Sequence, residues 1–399
     1  MALGRVPGLA IDRTGAALLG LIVLLASGDL PLQDAGRAID MPTITLLFAL
    51  MILSTQFEAS GFYGFVAERV THAAHSPKLV LAVLIAVTGL LSALLTNDVV
   101  AVALTPLICV GLEANALDAR PYLVALAGAA NAGSAATLIG NPQNILIGQA
   151  GGLDFWPYVL FALPPSLFAF AAVYCAVVLT WRNGFFLERI TETLPRTHAP
   201  PLQRFQLAKA LAAVAALVAL FLSPLPRELS ALAVAGALLL SRRMSSRALL
   251  GGVDWHLLLL FVCLFGVTAA FAKTGVAQDG LTWLAARGLL PDRLSLMTPL
   301  ALVASNTIGN VPSMILVLKL IPDLSDGALA ALAALALLST FAGNLLLTGS
   351  LCNIIVAERA QLAGVRLGFM DFARSGVPMT LASIVATFLW LWFSGLVPP

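Results

Sequence analysis

The residues of this chain best suited to chemistry are polar groups set inside apolar runs. Asp98 is the sharpest of them. It closes the break Leu95-Thr96-Asn97-Asp98 between two apolar stretches. An Asp at mid-bilayer costs about 2.5–3.5 kcal/mol on insertion scales, so it points to a cation or proton role. Thr96, Asn97 and Asp98 are also N-cap residue types, able to start a half-helix whose unpaired N–H groups hold an anion. A second break runs from Asn131 through Ser134, Thr137, Gly140, Asn141 and Pro142 to Asn144. Its glycines relax the backbone and Pro142 removes a donor, which frees carbonyls to coordinate a cation. Two more clusters follow. Ser305-Asn306-Thr307 precedes Asn310-Val311-Pro312, and Gly343-Asn344 runs through Thr348-Gly349-Ser350 to Asn353. Any one of these groups could simply cap a half-helix or tie two helices together. Four clusters at related positions point instead to a binding site, with Asn97, Gly140, Asn306 and Gly349 as oxygen donors for Na⁺.

The surrounding elements must be membrane helices. Of 399 residues, 60% are hydrophobic and only 11% are charged, against about 45–50% and 25% in soluble domains. The chain has room for about 9–12 crossings, and its Ala/Leu-rich runs exclude an alternating-strand barrel. Arg5 and Arg13 followed by the apolar stretch 16–26 read as a first transmembrane helix rather than a signal peptide. A net charge of +2 gives no reason to expect a nucleic-acid partner. Cys109, Cys175, Cys263 and Cys352 lie far apart in apolar runs, with no metal or disulfide spacing, and read as small buried hydrophobes. No Walker-A loop or His-Glu-x-x-His motif is present, so ATP-driven pumping would need a separate ATPase subunit and a zinc protease is not expected. An intramembrane enzyme built on Asp98 is the alternative outside transport.

The chain also repeats itself. Asp40 and an apolar helix ending at Gly61 match Asp254 and one ending at Gly275, both at an offset of 214. The 96–97 break matches 309–310 at 213, and 140–144 matches 349–353 at 209. Stretches 61–73 and 276–289 read as matching amphipathic helices at the membrane surface. The basic stretch 182–209 (Arg182, Arg189, Arg196, Arg204, Lys209) reads as a cytoplasmic linker between an N-terminal half, 1–181, and a C-terminal half, 210–399. If 79–112 and 295–322 are re-entrant hairpins, nine full spans result and 16 of the 22 basic residues face the cytoplasm, with the N-terminus inside. Asp40 then lies outside and Asp254 inside. The expected fold is an all-α polytopic membrane protein with two inverted-topology repeats, each with a re-entrant hairpin and a broken transmembrane helix. That is the sequence pattern of a secondary transporter.

These breaks resemble the ion transporter superfamily: citrate transporters, divalent anion–sodium symporters and the arsenite-pump/sodium–proton antiporter branch. The resemblance covers nearly the whole chain. Gly140-Asn141-Pro142-Gln143-Asn144 resembles the family's unwound-helix motif, with Gly349-Ser350 and Asn353 as its counterpart. Thr96-Asn97-Asp98 is similar to the arsenite-pump branch, and Ser305-Asn306-Thr307 to the tips of dicarboxylate symporters. The departures are Thr-Asn-Asp in place of Ser-Asn-Thr at the first tip, Pro142-Gln143 in place of a double proline, and Leu346 where the first half has Thr137. The resemblance implies a midplane site moved by an elevator motion and dimerisation through a scaffold domain. It implies a small anionic solute such as citrate or a dicarboxylate, carried across a bacterial-type inner membrane with Na⁺ or H⁺ and no other cofactor. Arsenite efflux and Na⁺/H⁺ antiport are the alternatives within the same fold.

Overall fold

The computed structural model describes residues 11–72, 76–182, 184–186, 201–241, 244–287, 293–320 and 326–395. The linker stretch 187–200, with Arg189 and Arg196, lies outside them, as does Arg5. Every described element is helical, and a single isolated bridge pairs Leu117 with Phe186.

Two short helices lead in, α1 (Arg13–Ala26) and α2 (Leu32–Ala38). The first repeat follows as α3 (Met41–Ala59), α4 (Phe62–His72), α5 (Pro77–Leu94), α6 (Asn97–Glu113), α7 (Ala119–Ser134), α8 (Pro142–Ala150) and α9 (Phe155–Thr180). Three helices intervene: α10 (Arg204–Leu220), α11 (Arg227–Leu239) and α12 (Ser246–Gly251). The order then recurs as α13 (Trp255–Lys273), α14 (Val276–Ala285), α15 (Leu294–Thr307), α16 (Asn310–Leu320), α17 (Asp326–Ala342), α18 (Leu351–Leu362) and α19 (Phe369–Ser394).

The repeat extends to local chemistry. Asp40 caps α3 by accepting from the Thr43 N–H (2.8 Å), and Asp254 caps α13 by accepting from the Leu257 N–H (2.9 Å). Gly61 and Gly275 then turn the chain at φ +74° and +76°, a conformation that glycine adopts without strain. Helices α9 and α19 are both 26 residues long with proline inside. Since α10 begins at Arg204, the stretch 204–209 expected as linker is already helical.

Five described helices are long and apolar enough to cross a bilayer unaided: α3, α5, α9, α13 and α19. The others that pack with them are shorter or come as broken pairs, as the interrupted apolar runs imply. Helices α5 and α6, with 18 and 17 residues, are each of about crossing length, so both arms of the first hairpin are long. The expectation of a surface helix at 61–73 needs correction. Tyr63, Val66, Ala67 and Val70 of α4 are buried, and its Thr71 sits where any side chain at Gly111 of α6 would fall, so its apolar face packs on protein. Three cysteines are buried as expected, but Cys175 is exposed; all four are free.

Close helix approach puts the breaks side by side. A Cβ at Gly133 of α7 would overlap the Gly89 carbonyl of α5, so only glycine permits this crossing. Arg227 Nη2 donates to the Gly148 carbonyl (2.8 Å), tying the start of α11 to the end of α8.

Candidate functional site

The α5–α6 break is made by Leu95 and Thr96, both extended. Thr96 occupies the N-cap position of α6, but its side chain makes no capping bond, contrary to expectation. Asn97 does the holding: its Oδ1 accepts from the Asp98 N–H (2.9 Å) and its own N–H donates to the Gly140 carbonyl (2.8 Å). The hairpin tip is thereby tied to the broken helix α7–α8.

That break is organised by Asn144. Its Nδ2 donates to the carbonyls of Ser134 (3.3 Å) and Thr137 (3.0 Å) and to Tyr158 Oη (3.1 Å). In the second half Asn353 repeats this, donating to the carbonyls of Gly343 (2.8 Å) and Leu346 (3.1 Å). The loss of a hydroxyl at position 346 therefore leaves the motif intact, because backbone oxygens do this work. The Thr137 hydroxyl instead donates to the Ala93 carbonyl (2.7 Å), which joins the break to the end of α5.

The two halves meet through Asn131. Its Nδ2 donates to Oδ1 of Asn344 (2.7 Å) and Asn353 (2.9 Å), and its Oδ1 accepts from Asn97 Nδ2 (3.0 Å) and Ser350 Oγ (3.1 Å). At the offset of 209 that relates these breaks, Asn131 corresponds to Thr340, Asn141 to Ser350 and Asn144 to Asn353. Thr340 Oγ1 in turn lies 3.3 Å from both Asn141 Nδ2 and Asn144 Oδ1. So 131 meets 350 and 353, while 340 meets 141 and 144. Such reciprocal pairs are what a two-fold relation generates.

Between these elements lies a cavity of about 30 Å³ whose polar lining residues are Asn97, Asp98, Asn131, Asn141, Gln143, Asn310, Thr340 and Ser350. Asp98 is the one charged residue lining it and is 4% exposed. Among the described residues its carboxylate joins no hydrogen bond or ion pair. A neighbouring cavity of about 70 Å³ shares Asn310, Val311 and Leu351 with the first and adds Asn306, Thr307, Gly309, Thr348, Gly349 and Arg13. Here Oδ1 of Asn306 and of Asn310 are buried without a partner. Of the oxygens expected to hold Na⁺, those of Asn97 and Gly140 are already hydrogen-bonded, whereas that of Asn306, beside Gly349, is free.

Other expected residues have structural duties. Ser134 Oγ donates to the Asn131 carbonyl (2.9 Å), and Ser305 Oγ to the Ser339 carbonyl (3.3 Å). Thr307 Oγ1 bonds back to the Val303 carbonyl of its own helix (2.7 Å). Sequence reasoning missed Gln143, which donates to Thr340 Oγ1 (2.6 Å), and Thr340 itself, although the offset of 209 from Asn131 pointed to it. It also missed Tyr158 and Arg13, for which spacing holds no signal. No group of three His, Cys, Asp or Glu residues able to hold a metal ion occurs among the described residues.

Broken helices that bring unpaired polar groups together inside an apolar bundle define a membrane transporter, since irregular backbone is tolerated at such depth only where it is buried or lines a cavity. Residues 2–342 match the family model described as citrate transporter, and the chain belongs to that family. It is 28% identical to a 46 kDa membrane protein of Mycobacterium leprae, with 96% of this chain and 93% of that one covered. It is 26% identical to the silicon efflux transporter of Oryza sativa subsp. japonica (94% and 91% covered) and 24% identical to a putative transporter arsB of Dictyostelium discoideum (94% and 86%). The crystal structure of the Alcanivorax borkumensis YdaH transporter, described as having an unusual topology, shares the fold with a TM-score of 0.59, 14% identity and coverage of 97% and 100%.

Proposed function

We propose that the protein is a secondary transporter that carries a small oxyacid of at most one negative charge together with a cation, H⁺ or Na⁺, held at Asp98. The observation that carries this is the central cavity, which amides and hydroxyls of both halves line with Asp98 as its one charged group. Two like charges about 5 Å apart at an effective dielectric of 20 repel by about 3 kcal/mol. An anion therefore binds beside an ionised Asp98 roughly a hundredfold more weakly unless a cation sits there too, and that linkage couples the two fluxes. A fully ionised citrate would meet this repulsion several times over. The rice relative's name, a silicon efflux transporter, fits the same class of solute, and net direction follows the gradients.

The two halves run in opposite directions through a bacterial-type inner membrane, with the N-terminus in the cytoplasm. The distribution of basic residues supports this orientation, and the reciprocal contacts fit a two-fold relation between the halves. A flux panel in proteoliposomes (citrate, succinate, bicarbonate, arsenite, silicic acid) under imposed pH or Na⁺ gradients tests the reading. Wild type is expected to move one of the oxyacids in response to one of the gradients. Asp98→Asn is expected to bind that solute but to lose the response. Gradient-driven flux that survives in Asp98→Asn refutes the coupling role, and zero flux for every solute refutes transport of this class.

A further inference from the structure

Three helix ends meet at one edge of the bundle: the start of α7, the end of α9 and the start of α19. Helices α9 and α19 run antiparallel, joined here by Thr180 Oγ1 and Ser375 Oγ (2.6 Å) and at the far end by Trp390 Nε1 on the Phe161 carbonyl (3.2 Å). The chain leaves α9 through Trp181, which is 6% exposed and whose Nε1 donates to Ser375 Oγ (3.1 Å). Two guanidinium groups converge on this indole, with Cζ of Arg120 5.4 Å and Cζ of Arg374 5.5 Å from its ring centroid. Arg120 also forks onto the Asp118 carboxylate, Nη2 lying 2.6 Å from Oδ2, so these two charges offset each other. Arg374 has no such partner. Its Nη2 donates to the Thr180 carbonyl (3.2 Å), and neither it nor the nearby Arg182 forms an ion pair among the described residues. Both are exposed.

These two arginines stand where lipid-facing surface gives way to water. On α19, Arg374 shares an exposed helix face with Val377, Leu381 and Val385. On α9, Leu179 is 74% exposed and lies just ahead of Arg182. An acyl chain lying on that apolar surface brings its own phosphate to the height of the arginines. We infer that this corner is a binding site for an anionic glycerophospholipid, whose phosphate accepts from Arg374 and Arg182 while its acyl chains lie along α9 and α19. Trp181 and the Thr180 carbonyl already hold the Arg374 guanidinium, so little side-chain freedom is lost on binding. A zwitterionic headgroup would bring an ammonium against two uncompensated arginines. A headgroup of net negative charge instead gains about fivefold in affinity from each of them. The orientation proposed above puts this edge in the cytoplasmic leaflet. None of these residues lines the central cavity, so the site stands whatever solute is carried.

The full chain, purified in a neutral detergent, is titrated with phosphatidylglycerol or with phosphatidylcholine of the same acyl chains, and binding is followed by native mass spectrometry. Phosphatidylglycerol is expected to bind at least about tenfold more tightly. Arg182→Gln combined with Arg374→Gln should bring the two lipids within about twofold of each other, in protein that still elutes as a monodisperse peak. Should that double variant not elute so, Arg182→Gln alone, at an exposed position past the end of α9, should cut the preference about fivefold. Arg247→Gln combined with Arg359→Gln removes the same charge from exposed positions elsewhere and should leave the preference intact. Glycerol 3-phosphate, which carries the phosphate without acyl chains, should not displace bound phosphatidylglycerol even in about tenfold excess. Equal binding of the two lipids by wild type, or a preference that survives loss of Arg182 and Arg374, overturns the inference. An equal loss in the Arg247 and Arg359 variant overturns it too, because overall charge would then suffice. Displacement by glycerol 3-phosphate would do the same by making the site one for soluble phosphates.

Discussion

Replacing Asn131 by alanine is the most direct test of how the two halves are joined. This side chain makes four hydrogen bonds, giving two and accepting two, to Asn344, Asn353, Asn97 and Ser350. Interhelical hydrogen bonds in membrane proteins average about 0.6 kcal/mol and reach about 1.7, so four of them sum to roughly 2–3 kcal/mol. Leaving buried partners unpaired adds to this, which brings the expected loss to about 3 kcal/mol. At roughly 2 °C per kcal/mol, Asn131→Ala should lower the melting temperature in detergent by about 6 °C. The control is Asn115→Ala: Asn115 is exposed, just past the end of α6, and its side chain donates only to the Gly111 carbonyl (2.7 Å), so a shift within about 1 °C is expected. Asn131→Asp should be worse than alanine, because it turns both donors into acceptors that face Asn344 and Asn353 Oδ1. Those amides cannot flip to help, since their Nδ2 groups already hold the carbonyls of Gly128, Gly343 and Leu346. An alanine variant that melts with the control, or an aspartate variant milder than alanine, would show that the network is not what joins the halves.

Other substitutions probe separate links. Gly133→Ala places a Cβ on the Gly89 carbonyl, where two helix backbones must part, so it should cost at least about 1–3 kcal/mol and show as reduced yield of monodisperse protein on gel filtration. Thr340→Val keeps the shape but removes the hydroxyl that meets Gln143, Asn141 and Asn144; flux should fall several-fold and Thr340→Ser should restore it. On the surface, Lys273 Nζ donates to Asp34 Oδ2 (2.5 Å), and this hydrogen bond and charge hold the Asp34 carboxyl below its ordinary range. Because the folded-state pKa is depressed, the tie between α2 and α13 is complete above the ordinary carboxylate range and opens as pH falls through the lower, folded value. Hydrogen exchange of the α2 amides should therefore lose protection at a lower pH in wild type than the Asp34 carboxyl's ordinary range would give, and Lys273→Ala should remove that acid step.

The four breaks were legible in the sequence because amides, hydroxyls and glycines interrupting an apolar run have few other uses, and the duplication supported them. Which atoms act was less legible. At Thr137 the carbonyl rather than the hydroxyl joins the motif, and a side-chain alphabet does not record backbone carbonyls. Thr340 resembles the ordinary hydroxyl residues that bond back within a membrane helix, as it also does to the Ala336 carbonyl (2.7 Å). Arg13 was hidden for another reason: it reaches a cavity wall through the packing of α1 on α13, which depends on tertiary approach rather than on neighbours in the chain. The amphipathic pattern of α4 marked an apolar face correctly, but periodicity alone does not say whether lipid or protein covers it.

The reciprocal contacts of Asn131 and Thr340 carry a further consequence. A solute held between matched halves meets the same donors twice, so an asymmetric molecule would have two equivalent poses, one the reverse of the other. Only one of them would turn its charged end toward the cation held at Asp98. The divergence of this matched pair, a doubly donating amide on one side and a single hydroxyl on the other, removes that degeneracy. A duplicated scaffold thereby acquires a head and a tail, and the solute is read in one direction.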